Sequence, residues 1–162
     1  MARKKYKIIS LDISSASTGW CYITDGDLVD YGTIRPKKSL DKPAKLHTFR
    51  EELKTVLKKF KPNYVVIENG FFGKNVKTLK VLSNFAGVAM ECCLATLGVT
   101  PYIMSNSTPK SHFKVKNKKD LFEKIVEMCG FEDFNYDEHN DITDSIAQGI
   151  CYYDTILKGT WG

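Results

Sequence analysis

The sequence predicts one α/β domain on a mixed sheet with an antiparallel meander at one side, and three observations carry that prediction. Three strand-length segments follow one another with short joins from Lys5 to Arg35. A helical stretch then returns the chain to Tyr64-Val65-Val66-Ile67, which is apolar throughout, as a central parallel strand covered on both faces would be. Finally, four carboxylates, Asp12, Glu68, Asp141 and Asp144, fall where such a fold would aim them at one point.

The elements follow in order. Lys5 to Asp12, Thr18 to Thr24 and Leu28 to Arg35 read as the meander, with Asp25-Gly26-Asp27 as a hairpin turn. Beyond a linker from Pro36 to Pro43, Leu46, Phe49, Leu53, Val56, Leu57 and Phe60 recur at helical spacing until Lys61-Pro62-Asn63 stops the pattern. That helix is the crossover feeding a parallel strand from Tyr64 to Glu68. A second helix, Asn75 to Leu97, carries two apolar stripes. Leu79, Leu82, Ala86, Met90, Cys93 and Leu97 form one, and Val81, Phe85, Val88 and Cys92 the other. One stripe can cover the sheet and the other is expected to meet a second subunit in a homodimer. A short strand from Val99 to Met104, a polar lysine-bearing stretch and a helix from Lys118 to Cys129, closed by Gly130, come next. A loop to Asn140 and a last helix from Asp141 to Leu157, with the acid pair in its first turn, complete the expectation.

Length and composition bound the function. At 162 residues, 43% hydrophobic and 27% charged, the chain is expected to form a single nuclease-sized domain, residues 1–162. No stretch is expected to reach the roughly 18 to 20 apolar residues of a membrane span. The basic start, Met1 to Tyr6, leads into only a strand's length of apolar residues interrupted by Asp12, so no signal peptide is expected and the cytoplasm is the expected compartment. Five cysteines, an odd number with Cys92 and Cys93 adjacent and no C-x-x-C, suit neither a disulfide framework nor a zinc site. The net charge is +5; with the four acids set aside, 24 basic side chains face 15 acidic ones, a balance of +9. No Asp or Glu lies between Glu91 and Asp120, while Lys110, Lys114, Lys116, Lys118 and Lys119 crowd the end of that interval, a pattern suited to nucleic acid.

The acids carry the chemistry. Asp12 closes Lys7-Ile8-Ile9-Ser10-Leu11 and Glu68 closes Tyr64 to Ile67, so both stand at carboxyl ends of strands, where open α/β sheets place their sites. Asp141 and Asp144, three apart, share one helix face. Four such acids repel one another unless cations occupy them. Carboxylate oxygens suit Mg²⁺, with Mn²⁺ able to substitute, and a pair of such ions can hydrolyse a phosphodiester. The plainer account of Asp141 and Asp144 is a favourable interaction with the helix dipole, with Asn140 or Asp141 as the cap. His139 reads as a solvated loop neighbour of the acids.

These residues resemble those of the RuvC-type Holliday-junction resolvases, particularly the small phage-encoded branch, over nearly the whole chain. The first motif is Leu11-Asp12-Ile13-Ser14-Ser15-Ala16-Ser17-Thr18-Gly19-Trp20, with Ile13-Ser14 where the family commonly has Pro-Gly. The second is Ile67-Glu68-Asn69-Gly70-Phe71-Phe72-Gly73-Lys74-Asn75, and the third, Asp141-Ile142-Thr143-Asp144-Ser145-Ile146-Ala147, resembles D-x-x-D-A-x-A. The resemblance implies a ribonuclease-H-like five-stranded mixed sheet flanked by helices, with Asp12, Glu68, Asp141 and Asp144 as catalytic metal ligands. It implies that Phe71 stacks at the branch point and that Lys110 and one of Lys118 or Lys119 lie near the scissile phosphate. Lys74, with Lys77 and Lys80, would meet phosphates non-specifically. The implied activity is a homodimeric, Mg²⁺-dependent endonuclease cutting four-way junctions, and forks and flaps as well, to leave 5′-phosphates. No small-molecule cofactor and no membrane partner are expected. Ribonuclease H action on RNA–DNA hybrids and a non-catalytic junction-binding protein are the alternatives; an actin-like ATPase would need two large domains.

Overall fold

The computed structural model describes residues 5–14, 16–69 and 75–158. Phe71 and Lys74, both expected to meet DNA, lie outside them. Strands β1 (Lys7–Ile13), β2 (Thr18–Thr24), β3 (Asp27–Ile34), β4 (Tyr64–Asn69) and β5 (Tyr102–Ser105) form one sheet in the order β3-β2-β1-β4-β5. The first three pair antiparallel, and β4 runs parallel to both β1 and β5, so the expected mixed five-stranded sheet is present.

Helices cover both faces, and the alternation of strand side chains decides what each helix meets. Ile9, Leu11, Val65 and Ile67 point to the face covered by α1 (Lys42–Phe60) and α2 (Val76–Leu97), packing with Phe49, Leu53, Leu57 and Phe85. Ile8, Cys21, Ile23 and Val66 point to the other face, covered by α4 (Lys118–Cys129) and α5 (Tyr136–Tyr152) through Leu121, Ile125, Ile142 and Ile146. Asp12 is in phase with Ile8 and Ser10, and Glu68 is in phase with Val66. Both acids therefore belong to the α5 side.

Several boundaries differ from expectation for local reasons. Helix α1 begins at Lys42 because Asp41 caps it, accepting from Ala44 N at 3.0 Å, and Pro43 sits in the first turn, where its missing N–H is no loss. The linker is shorter accordingly. Strand β5 starts three residues later than expected, and the lysine-bearing stretch contains a short helix, α3 (Ser107–His112). Helix α5 starts five residues before Asp141, so Asp141 and Asp144 lie in its second and third turns. Its cap is Asn135, whose side chain accepts from Glu138 N at 2.9 Å, and the acids of its first turn are Asp137 and Glu138. The dipole account of the Asp141 and Asp144 pair fails with that correction. The chain leaves α5 through a wider π-type turn, Tyr153–Leu157.

Helix α2 departs from expectation too, since by length and composition it could cross a membrane. It is nevertheless a core helix on one side: Leu82, Phe85, Ala89, Cys92 and Cys93 are buried, and Arg50 of α1 grips Glu91 at 3.1 and 3.2 Å. Side chains of both sequence stripes contribute to that buried face. The large apolar side chains of α2 that remain exposed are Val76 at 67%, Met90 at 42% and Leu94 at 60%.

Candidate active site

The site forms where α5 crosses the carboxyl ends of β1 and β4. Register brings the two strand acids together: Ser10 pairs with Val66 and Leu11 with Ile67, which puts Asp12 and Glu68 on the next rung and the same face. Their carboxyl groups lie close enough for Glu68 to favour the protonated form of Asp12. The helix is fastened by Gln148, one turn beyond Asp144 and 2% exposed, whose amide donates to Ser10 Oγ and Leu11 O, both at 2.9 Å, and lies 3.3 Å from Val66 O. A glutamine reaching both parallel strands fixes the height at which α5 passes over them. Asp144, four residues earlier on that face, is thereby carried to Asp12 and Glu68.

Burial makes this an expensive place for negative charge. Asp12 is 4% exposed and Asp144 8%. Burial first, then the Glu68 side chain and the charges of Glu68, Asp144 and Asp141, hold the Asp12 carboxyl well above the ordinary carboxylate range. For Asp144, burial is again the largest cause; the Lys118 charge opposes it, Glu68 and Asp141 add to it, and the outcome is about 6. Lys118 Nζ stands 3.2 Å from Asp144 Oδ2. Burial pulls Lys118 down, but Asp144, Asp12 and Glu68 together outweigh it and hold the ammonium above its usual range. Apart from this ammonium, no donor reaches either buried oxygen of Asp144.

That carboxylate, held by one lysine alone, is the observation against which a metal is tested. Two buried oxygens served by no donor but an ammonium, among hard carboxylates and no thiolate or imidazole, fit an oxygen-preferring divalent ion. The acids are grouped but not closed: among the described residues, no three His, Cys, Asp or Glu side chains stand ready to hold one ion. Each is engaged otherwise, Asp12 with Glu68, Asp144 with Lys118, and Asp141 with Ser17, whose Oγ donates to Asp141 Oδ2.

Of the sequence candidates, Asp12, Glu68, Asp141, Asp144 and Lys118 come together here. Lys118 is ion-paired with Asp144, and among the described residues no ion pair links Lys110 or Lys119 to the acids. His139 is no solvated loop residue. It lies in the first turn of α5, stacks on Phe134 with ring centroids 4.3 Å apart, and accepts from Asn135 N at 3.0 Å. The sequence reading passed over Ser17, Gln148 and the close approach at Gly19. A Cβ on Gly19 would stand 2.1 Å from Asp141 O. Only the Thr-Gly-aromatic motif hinted at the last of these.

The raised carboxyls predict how stability follows pH without metal. An Asp whose folded value exceeds its unfolded one binds more protons when folded, so its stabilising effect is complete below about 4 and is lost as pH rises through the folded value. In chelator the melting temperature should therefore fall from pH 4.5 to 7.5 by on the order of 5 °C more in the native protein than in Asp144→Asn. Equal slopes in the two proteins would remove the strained carboxyl.

The sequence model for crossover junction endodeoxyribonuclease RuvC matches residues 8–127, ending before Asp141. Curated proteins of that description are similar along most of the chain. The one from Fusobacterium nucleatum is 33% identical over 159 residues, covering 93% of this chain and 81% of its own. The one from Wolbachia pipientis is 33% identical over 156 residues, covering 90% and 93%. Among solved structures, Thermus thermophilus RuvC in complex with Holliday junction substrate superimposes with a TM-score of 0.81 over 96% of this chain and 98% of that one, at 14% identity. The yeast mitochondrial Holliday junction resolvase Ydc2 gives 0.65 over 98% and 83%, at 11% identity.

Proposed function

The chain belongs to the RuvC family of crossover junction endodeoxyribonucleases, and on that footing we propose that it is a Mg²⁺-dependent, structure-selective endonuclease cutting Holliday junctions and other branched DNA. The observation that carries this reading is the buried meeting of Asp12 and Asp144, from β1 and α5, with Lys118 as the one partner of the Asp144 oxygens. Asp12, Glu68, Asp141 and Asp144 would hold the ions, Mg²⁺ or Mn²⁺. Bound there, two such ions supply a nucleophile from water and neutralise charge on the leaving 3′ oxygen, giving 5′-phosphate products.

The protein's own residues do the rest. Gln148 and the strand register hold the strand and helix acids at fixed relative height. Lys118, cationic at any working pH, balances the acids without metal and would meet a phosphate beside them. Lys110 and Lys119 on α3 and α4, with Lys74 before α2, are assigned to the DNA backbone, and Phe71 to stacking at the branch point. The exposed Val76, Met90 and Leu94 of α2 are assigned to a homodimer contact, whose two-fold symmetry would set two sites against equivalent strands. Five free cysteines, Cys21 and Cys93 pushed by burial to about 12, suit the reducing cytoplasm in which we place the protein.

The test is cleavage of labelled four-way junctions, forks, flaps, linear duplex and RNA–DNA hybrids, with Mg²⁺ and with chelator, beside sedimentation at low micromolar protein. Junctions cut only with metal, by a dimer, are expected. Hybrids cut while junctions are spared would favour ribonuclease H. A monomer would remove paired nicking.

A further inference from the structure

Ser17 lies in the turn joining β1 to β2, 124 residues before Asp141, and is 8% exposed. Its hydroxyl donates to Asp141 Oδ2. A local ring fixes its backbone: Ser14 N donates to Ser17 O at 2.9 Å, Ser17 N donates to Ser14 Oγ at 3.1 Å, and Ser14 Oγ donates to Ser17 O at 2.5 Å. The Ser14 side chain thus supplies turn-closing bonds at the place where this chain lacks Pro-Gly. Two residues on, Gly19 brings β2 against the Asp141 carbonyl. The turn that begins at the first strand acid is therefore braced to the helix at the third.

Resting on the metal-dependent reading above, we infer that Ser17 is a positioning residue for Asp141: its hydroxyl selects the carboxylate orientation, occupying Oδ2 and leaving Oδ1 for a divalent ion. The geometry makes the hydroxyl suited to this. A neutral donor orients a carboxylate without competing for it as a charged partner would, and Asp141, half-buried, has no other side-chain hydrogen bond among those described. Asp144 has an ammonium instead, which a cation must outcompete. The two acids of α5 are thus held differently, one pre-aimed and one guarded.

Outer partners of metal ligands alter affinity by roughly 10–100-fold when removed. Ser17→Ala should raise, about tenfold, the Mg²⁺ concentration giving half of the full rise in melting temperature without DNA. The melting temperature in chelator should stay near native, because the Ser14 ring uses Ser17 only through its backbone. The metal midpoint for junction cleavage should move in parallel, Ser17→Thr should restore both, and Ser17→Ala should add nothing in an Asp141→Asn background. An unchanged midpoint in Ser17→Ala overturns the inference, as does a shift that persists in Ser17→Thr or adds to that of Asp141→Asn. A native protein whose melting ignores Mg²⁺ overturns the metal-dependent reading and this inference together; a native response unaltered by Ser17→Ala overturns this one alone.

Discussion

Asp12→Asn should abolish junction cleavage, by about a thousandfold or more, while raising the melting temperature of the metal-free protein. The two effects share one cause. Asp12 is buried and ringed by Glu68, Asp144 and Asp141, so its carboxylate is unfavourable in the fold and useful only to a cation. Asparagine keeps the shape with no charge to bury. It should relieve repulsion at neutral pH and remove a ligand. The measurements are single-turnover cleavage in Mg²⁺ and thermal melting in chelator. Cleavage within tenfold of native would take Asp12 out of the catalytic set, and a lower melting temperature would contradict its strained state.

The legible part of this fold was the part written in short-range periodicity. The apolar strand before Asp12 and the unbroken apolar run before Glu68 place both acids at strand ends, and register does the rest, because parallel pairing of Ser10 with Val66 fixes the next rung. The start of α5 was hidden for an equally local reason. Phe131 to Asn140 mixes aromatics, acids and asparagines without helical periodicity, and reads as loop. The Asn135 cap, three residues before Glu138, is the signal that was there to use. His139 changed its meaning with that boundary, from a solvated neighbour of acids to a ring packed on Phe134.

Other features could not be read locally. Lys118 and Lys119 are adjacent and chemically alike, and only the rotation of α4 against α5 decides which meets Asp144. Gln148 contacts residues 82 to 138 positions away, and Ser17 meets Asp141 across 124. Nothing in composition or spacing distinguishes them from any interior glutamine or turn serine. The buried acids supplied the outline of the site; the neutral side chains that hold them in place became visible only in three dimensions.

Gly19→Ala tests whether that holding is as tight as it looks. The added carbon would stand 2.1 Å from Asp141 O, 2.2 Å from Asp141 C and 2.7 Å from Ile142 N, all backbone of α5. A side chain could swing aside, but this backbone belongs to a helix turn tied on either side by the Ser17 to Asp141 bond and by Gln148. To admit the methyl group, α5 must lift from β2, drawing Asp144 from Asp12 and Glu68 and loosening Gln148 from β1 and β4. Overpacking of this kind costs about 3 kcal/mol or more, a fall in melting temperature on the order of 10 °C for a chain of this length. Cleavage should be lost well below that temperature, since the acids separate before the fold fails. Gly87→Ala is a control for melting only: nothing in the chain stands within 4 Å of its new carbon, so helix propensity should stabilise α2 by up to about 1 kcal/mol, but the position shares the face of Val76, Met90 and Leu94 assigned to the homodimer. Both variants need melting curves, and Gly19→Ala a junction cleavage assay. If Gly19→Ala melts and cuts like the native protein, β2 and α5 are not in backbone contact, and the support drawn for Asp141 and Asp144 collapses with that contact.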